Sequence, residues 1–136
     1  MSVLAPDWGR HAGLVLLATR LTVGGFLIWG VADNILSADR MREFERFLAN
    51  HGFPAPQLMA PLSVYAQAAV GLAFILGLGT RWAGLVCAFN FVVAIVMVDA
   101  KLGIRGAFPA AALVLFGLLF AALGAGRYGL DRRFER

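Results

Sequence analysis

Charged residues are scarce in this chain: they make up 15% of its 136 residues, whereas hydrophobic residues make up 60%. A soluble domain usually carries about 25% charged residues. So few charges could not cover the water-exposed surface of a soluble protein of this size, which indicates that lipid surrounds most of the chain. The length corresponds to one domain.

Cysteine and histidine are also scarce. The single cysteine, Cys87, excludes an intrachain disulfide, a thiol relay and an iron–sulfur site. The two histidines, His11 and His51, lie at or outside the ends of the long apolar segments, where they are not placed to ligate a haem inside a bundle. No glycine-rich phosphate loop precedes a helix. The sequence therefore predicts that the chain by itself binds no metal and no electron-carrying cofactor.

Four apolar segments are long enough to cross a membrane, which takes about 20 residues in a helix. They lie at about 12–32, 62–79, 82–98 and 108–124. The first is expected to be retained, because Arg20 interrupts it and no small-x-small cleavage site follows before Asp33. The short connection between the second and third predicts an antiparallel hairpin that turns at Thr80 and Arg81. The sequence thus predicts an all-α integral membrane four-helix bundle, a single transmembrane domain over residues 1–136.

The long connection between the first two spans has a pattern of its own. Apolar residues recur at helical spacing between charged residues, at Met41, Phe44, Phe47 and Leu48. Asp39 is a candidate N-cap, and Gly52 followed by Pro54 is a typical stop signal. The pattern predicts a short amphipathic helix on the membrane surface. Such a helix could cover the mouth of the bundle, or it could gate a lateral pocket or dock a partner.

Basic residues near the span ends predict the orientation of the chain. The side that holds both termini carries a dense C-terminal cluster of Arg127, Arg132, Arg133 and Arg136. This cluster predicts that both termini face the cytoplasm. Because basic residues are spread over loops and ends, the net charge of +4 does not indicate a nucleic-acid partner.

Three polar residues inside the predicted spans are candidates for a ligand site: Arg20, Gln67 and Asn90. Arg20 lies about 12 Å from the start of its helix at a rise of 1.5 Å per residue, and a charge at that depth is costly unless it is paired. It is expected to face the bundle interior, with Asn90 or backbone carbonyls as hydrogen-bond acceptors. The alternative is that it binds an anionic or carbonyl-bearing ligand, such as a quinone head group.

A second polar group is expected at the membrane face opposite the termini. Asp33 and Asp99 end the first and third spans, and Lys101 and Arg105 follow in the third connection. These charges could pair with one another, or they could be ordinary charges at helix ends, since exposed pairs contribute only about 0–1 kcal/mol. Small residues in the spans predict close helix packing rather than ligand sites. They are Gly24, Gly25, Ala69, Ala73 and Gly77.

Several of these features together resemble the DoxX family of small four-helix membrane proteins. The resemblance runs from Arg20 to Asp131. Its elements are Arg20 and Gly24 with the 26–30 stretch, the turn at 52–54, the turn at 77–81 and the closing segment at 124–131. Many family members carry a lysine after the first span and a glutamate in the second, where this chain has Asp33 or Asn34 and Gln67. The resemblance therefore transfers no catalytic pair to this chain.

The resemblance implies a role beside membrane redox systems, in which members of the family resemble accessory or anchor subunits. The first hypothesis is a non-catalytic subunit of a redox or quinone-linked complex in a bacterial plasma (inner) membrane, with other protein subunits as partners and quinone or lipid as the candidate ligands. The alternative is a small-molecule or lipid-binding membrane carrier with Arg20 in its cavity. The third hypothesis is an enzyme that acts on quinone or thiosulfate through Arg20 and Gln67. It is the weakest of the three, because the spans hold no obvious acid, base or nucleophile.

Overall fold

The computed structural model describes residues 9–134, and these residues form helices joined by short turns, with no strand among them. The α-helices are α1 (Ala12–Leu36), α2 (Ala38–Asn50), α3 (Pro56–Leu76), α4 (Thr80–Met97), α5 (Gly103–Leu123) and the short α6 (Asp131–Phe134). Helices α1, α3, α4 and α5 are long and apolar enough to cross a membrane. The prediction of an all-α membrane bundle is confirmed. Arg136, which belongs to the predicted C-terminal cluster, lies outside the described residues.

The helices extend beyond the apolar segments by which they were predicted. Helix α1 continues to Leu36, α3 begins at Pro56, and α5 begins at Gly103. Hydropathy marks only the part of a helix that suits the lipid core, whereas helical hydrogen bonding continues into the interface. The connection between α3 and α4 turns at residues 77–79 and not, as predicted, at Thr80 and Arg81, which lie in the first turn of α4. Helix α3 ends at Leu76, three residues before the predicted end of its span.

The amphipathic helix is present as α2, but its N-cap is Ser37 rather than Asp39. The Ser37 hydroxyl oxygen accepts a hydrogen bond from the backbone N–H of Arg40 at 3.3 Å. Asp39 lies in the first turn instead, where it forms an ion pair with Arg42. Two neighbouring residues can both act as caps by type, and only the backbone angles decide which one stands before the first helical residue.

The spanning helices pack as two pairs, α1 with α3 and α4 with α5. Each pair is held close by two facing glycines. A Cβ atom on Gly24 would lie 2.6 Å from the carbonyl oxygen of Gly71, and one on Gly84 would lie 2.3 Å from that of Gly117. Without side chains at these points the backbones come into direct contact. Gly25, also predicted at a packing face, has open space around it.

An apolar core joins the two helix pairs. Phe74 of α3 and Phe120 of α5 are fully buried, and their rings meet edge to face with centroids 4.8 Å apart. Outside the core, large apolar side chains such as Trp29, Phe89 and Ile104 are exposed. This exposed apolar surface is suited to lipid contact.

The two ends of the bundle carry different segments of the chain. The terminal end holds the start of α1, the α3–α4 turn and the end of α5, and Gly13 there lies beside Arg127 and Tyr128. The opposite end, which carries α2, is called the α2 end. With four spanning helices, the start of α1 and the end of α5 lie on the same side of the membrane.

Candidate functional site

A cavity of about 460 Å³ lies between α3 and α4 toward the α2 end. The two helices are joined by the short turn at the terminal end, and the cavity lies farther along them. Its walls are mostly apolar, with Met59, Leu62, Phe89 and Val93 among the lining residues. A concave, largely apolar space with a few polar groups is the usual form of a small-molecule site.

The polar side chains of this cavity are Ser63, Gln67, Asn90 and Asp99. The Ser63 hydroxyl donates to Oδ1 of Asn90 at 3.3 Å, and Nε2 of Gln67 donates to the carbonyl oxygen of Leu27 at 3.0 Å. These bonds hold both amides in place. Within residues 9–134, Oε1 of Gln67 and Nδ2 of Asn90 remain without a protein partner. The cavity therefore offers a ligand one free acceptor and one free donor group.

Helix α2 covers one side of the cavity. Phe44, Phe47 and Leu48 line the cavity from α2, and Phe53 lines it from the loop that follows. Leu48 is only 5% exposed, so it anchors the helix, while Phe47 is 42% exposed. The amphipathic pattern predicted a helix that covers the mouth of the bundle, or one that gates a lateral pocket or docks a partner. In the structure α2 lies against the cavity, and this position is compatible with covering it or with gating it.

Arg20 is fully buried, but it does not line the cavity. Its Nη1 donates to the carbonyl oxygen of Phe74 at 2.7 Å, at the C-terminal end of α3. Helical side chains point toward the helix N-terminus, so the guanidinium lies closer to the terminal end than its backbone does. Its acceptors are thus backbone carbonyls, one of the two alternatives expected, and not Asn90. The structure brings Gln67 and Asn90 together and leaves Arg20 apart from them.

This position suggests that Arg20 stabilises the C-terminus of α3, where unpaired carbonyls carry negative partial charge. We expect Arg20→Leu to lower the unfolding free energy by about 1–3 kcal/mol, since the Phe74 carbonyl would lose its side-chain donor in a buried place. Ligand affinity of the cavity should be unchanged. Thermal unfolding in detergent beside quinone-analogue binding would test both. If the variant has normal stability but does not bind the quinone analogue, Arg20 belongs to the ligand site after all.

The second polar group predicted from the sequence is not joined by ion pairs. Within residues 9–134 the only ion pairs are Arg40–Glu43 and Arg42–Asp39, both on α2. Asp99 lines the cavity, whereas Asp33, Lys101 and Arg105 do not. In the same part of the chain, no three His, Cys, Asp or Glu side chains are grouped so as to hold a metal ion.

The terminal end contains an arrangement that sequence reasoning did not assemble. The two carboxylate oxygens of Asp131 accept the backbone N–H groups of Gly79 at 2.7 Å and Thr80 at 2.9 Å. Asp131 therefore caps the start of α4 from the far end of the chain. Its own N–H donates to the carbonyl oxygen of Gly77 at 2.8 Å. The sequence contained a signal for this contact. Asp131 lies in a glycine-rich segment after the fourth span, which is on the same side of the membrane as the 77–81 segment between the second and third spans.

Other groups complete the capping at this end. The N–H of Leu130 donates to the carbonyl oxygen of Leu76 at 3.1 Å, which satisfies the last residue of α3. Nη1 of Arg81 donates to the carbonyl oxygens of Ala121 and Ala122, in the last turn of α5. The closing segment and the 77–81 turn thus hold each other, because each supplies the hydrogen-bond partners that the other's helix ends lack.

Four spanning helices with an amphipathic helix over a lateral cavity define an all-α integral membrane protein of the four-helix class. Residues 15–100 match the family model of DoxX. The chain belongs to the DoxX family, as its motifs predicted. The match covers α1 to α4 and ends before α5. Comparisons with curated proteins and with solved structures found no significant match.

Proposed function

We propose that this protein is a non-catalytic membrane subunit or anchor of a redox or quinone-linked complex, and that its cavity holds a quinone or lipid in the membrane plane. The observation that carries this proposal is the lateral cavity between α3 and α4, with two positioned amides in an otherwise mostly apolar wall. Family membership supports the membrane setting. The link to redox chemistry rests on the resemblance of family members to subunits of such systems.

The chemistry of the cavity suits a quinone. Nδ2 of Asn90 can donate to a quinone carbonyl, and Oε1 of Gln67 can accept from the hydroxyl of the reduced quinol. The apolar side chains of α2, α3 and α4 suit the ring and its tail. Amides bind through hydrogen bonds but are poor acids and bases, so these two residues favour holding a ligand over transforming it.

The proposal places the chain in a bacterial plasma membrane with both termini in the cytoplasm. The arginines of the closing segment and of α6 support this orientation, since basic residues near span ends resist translocation. Labelling of a C-terminal tag from outside intact cells would contradict it.

A specific observation also favours a second function, that of a free-standing carrier of small molecules or lipids. The cavity wall is mostly apolar and is built from α2, α3 and α4, which suits an apolar small molecule or a lipid that the protein carries. Gentle purification from native membranes distinguishes the two functions. A soluble oxidoreductase that co-purifies in fixed proportion supports the subunit. A lone protein that carries a bound small molecule supports the carrier.

Ligand binding itself is tested with Gln67→Ala and Asn90→Ala. Each variant should weaken binding of a short-tailed quinone about twofold to tenfold, since a hydrogen bond is worth about 0.5–1.5 kcal/mol. Gln57→Ala is the matched control, because Gln57 also lies on α3 but is exposed and outside the cavity. Equilibrium titration of the purified protein would measure the affinities. Equal affinity in all three variants would show that the cavity is not the quinone site.

A further inference from the structure

The two ends of the bundle differ in charge. At the α2 end, residues 33–46 and 99–105 together carry five basic and five acidic side chains, so this end has no net charge. The rest of the sequence carries seven basic and three acidic residues, so the net charge of +4 comes from outside the α2 end. The arginines of α2 are also partly engaged, since Arg40 pairs with Glu43 and Arg42 pairs with Asp39.

The free positive charge of the terminal end is concentrated in one place. Arg127 and Arg132 line two adjoining depressions of about 390 and 370 Å³, and Arg133 lines the first of them. We call this surface, formed by Arg127, Arg132 and Arg133, the basic groove. Within residues 9–134 none of the three side chains has an ion-pair partner. Asp131 also lines the second depression, but its carboxylate oxygens are engaged by the start of α4.

Apolar and aromatic side chains border the basic groove. Leu123, the last residue of α5, lines the second depression and is 56% exposed, and Tyr128 lines the first and is 48% exposed. Phe134 follows Arg133 at the end of α6 and is 77% exposed. Because α5 ends where its apolar span ends, the groove lies at the level of the membrane interface. Tyrosine is typical of that level, with its ring toward the acyl chains and its hydroxyl toward water.

We propose that the basic groove binds the phosphate of an anionic membrane lipid, with the acyl chains lying beside Leu123 and Phe134. Guanidinium groups match phosphate oxygens in charge and geometry. The bordering apolar side chains favour a lipid over a nucleic acid or a free anion, because only a lipid brings apolar chains to the same place. This site lies at the opposite end from the quinone cavity and does not depend on the function proposed for that cavity.

The test compares two triple variants of the full chain in detergent. Arg127→Gln/Arg132→Gln/Arg133→Gln removes three charges from the groove, where these side chains make no hydrogen bonds among the described residues. Arg40→Gln/Arg42→Gln/Arg46→Gln removes three from the α2 end and is the matched control. Native mass spectrometry would measure apparent dissociation constants for short-chain phosphatidylglycerol and phosphatidylcholine, with circular dichroism to confirm that each variant is folded.

We expect the parent and the α2 control to prefer phosphatidylglycerol, and the groove variant to lose that preference. Each basic residue near an anionic surface contributes about fivefold, so the loss is on the order of a hundredfold. Equal preference for the two lipids in the parent would overturn the proposal. So would an equal loss in both triple variants, which would mean that net charge alone decides. Displacement of the lipid by inorganic phosphate at the same concentration would show a free-anion site instead.

Discussion

Gly84→Leu is expected to prevent the protein from folding into a stable bundle. A Cβ atom at this position would lie 2.3 Å from the carbonyl oxygen of Gly117 and 2.7 Å from the backbone nitrogen of Ala121. Both are backbone atoms, so a change of side-chain rotamer cannot relieve the clash, and α4 and α5 would have to separate. Overpacking typically costs about 1–3 kcal/mol, and a full leucine against backbone should exceed the upper value. Yield of monodisperse protein and the unfolding midpoint in detergent measure the effect.

The adjacent residues Gly24 and Gly25 supply a control for this prediction. A Cβ atom on Gly24 would lie 2.6 Å from the carbonyl oxygen of Gly71, whereas nothing lies within 4 Å of a Cβ atom on Gly25. Gly24→Leu should therefore destabilise the bundle as Gly84→Leu does. Gly25→Leu should be neutral or slightly stabilising, since leucine favours the helix by about 0.5–1 kcal/mol over glycine. If both neighbours tolerate leucine equally, close glycine contacts do not determine the packing of this bundle.

Asp131→Ala is expected to have the next largest effect, a loss of about 2–3 kcal/mol in unfolding free energy. The variant removes the acceptors of the Gly79 and Thr80 N–H groups, and with them a negative charge at the N-terminus of α4. Loss of an N-cap alone costs about 0.5–2 kcal/mol. The closing segment would also lose its side-chain link to the 77–81 turn. Thermal unfolding and protease sensitivity of the C-terminal segment would record the two consequences.

Two further variants make this prediction specific. Asp131→Asn keeps one acceptor oxygen, so it should lose about half as much stability as Asp131→Ala. Asp39→Ala removes an exposed carboxylate whose partner Arg42 is exposed too, and it should change stability by no more than about 1 kcal/mol. If Asp39→Ala and Asp131→Ala are equally harmful, the effect comes from charge in general and not from capping of α4.

The sequence predicted the transmembrane architecture well for a definite reason. Inside a bilayer every backbone polar group must be paired, so a long apolar segment has almost no choice but to form a helix. The ends of the helices were less predictable, because polar interfacial residues can continue a helix or leave it. Helix α3 illustrates this, since it begins at Pro56, six residues before the predicted span at 62–79.

The sequence identified some polar residues of the cavity wall, but it could not show which of the candidate residues lie together. Gln67 and Asn90 were identified as polar residues in apolar spans, and both line the cavity. Arg20 was identified by the same reasoning, yet it contacts the end of α3 instead. Depth along a helix can be counted from the sequence. The direction in which a side chain faces depends on how its helix is rotated against its neighbours.

By itself, then, the sequence determined the environment of this protein, the number of its spans, its amphipathic helix and its family. These follow from hydropathy and local motifs, which act over a few consecutive residues. The tertiary structure alone decided which glycines face each other, where the cavity opens, and that Asp131 caps α4 across 51 positions of sequence from Thr80. Such contacts join residues far apart in the chain, and they become defined only when the helices have taken their packed positions.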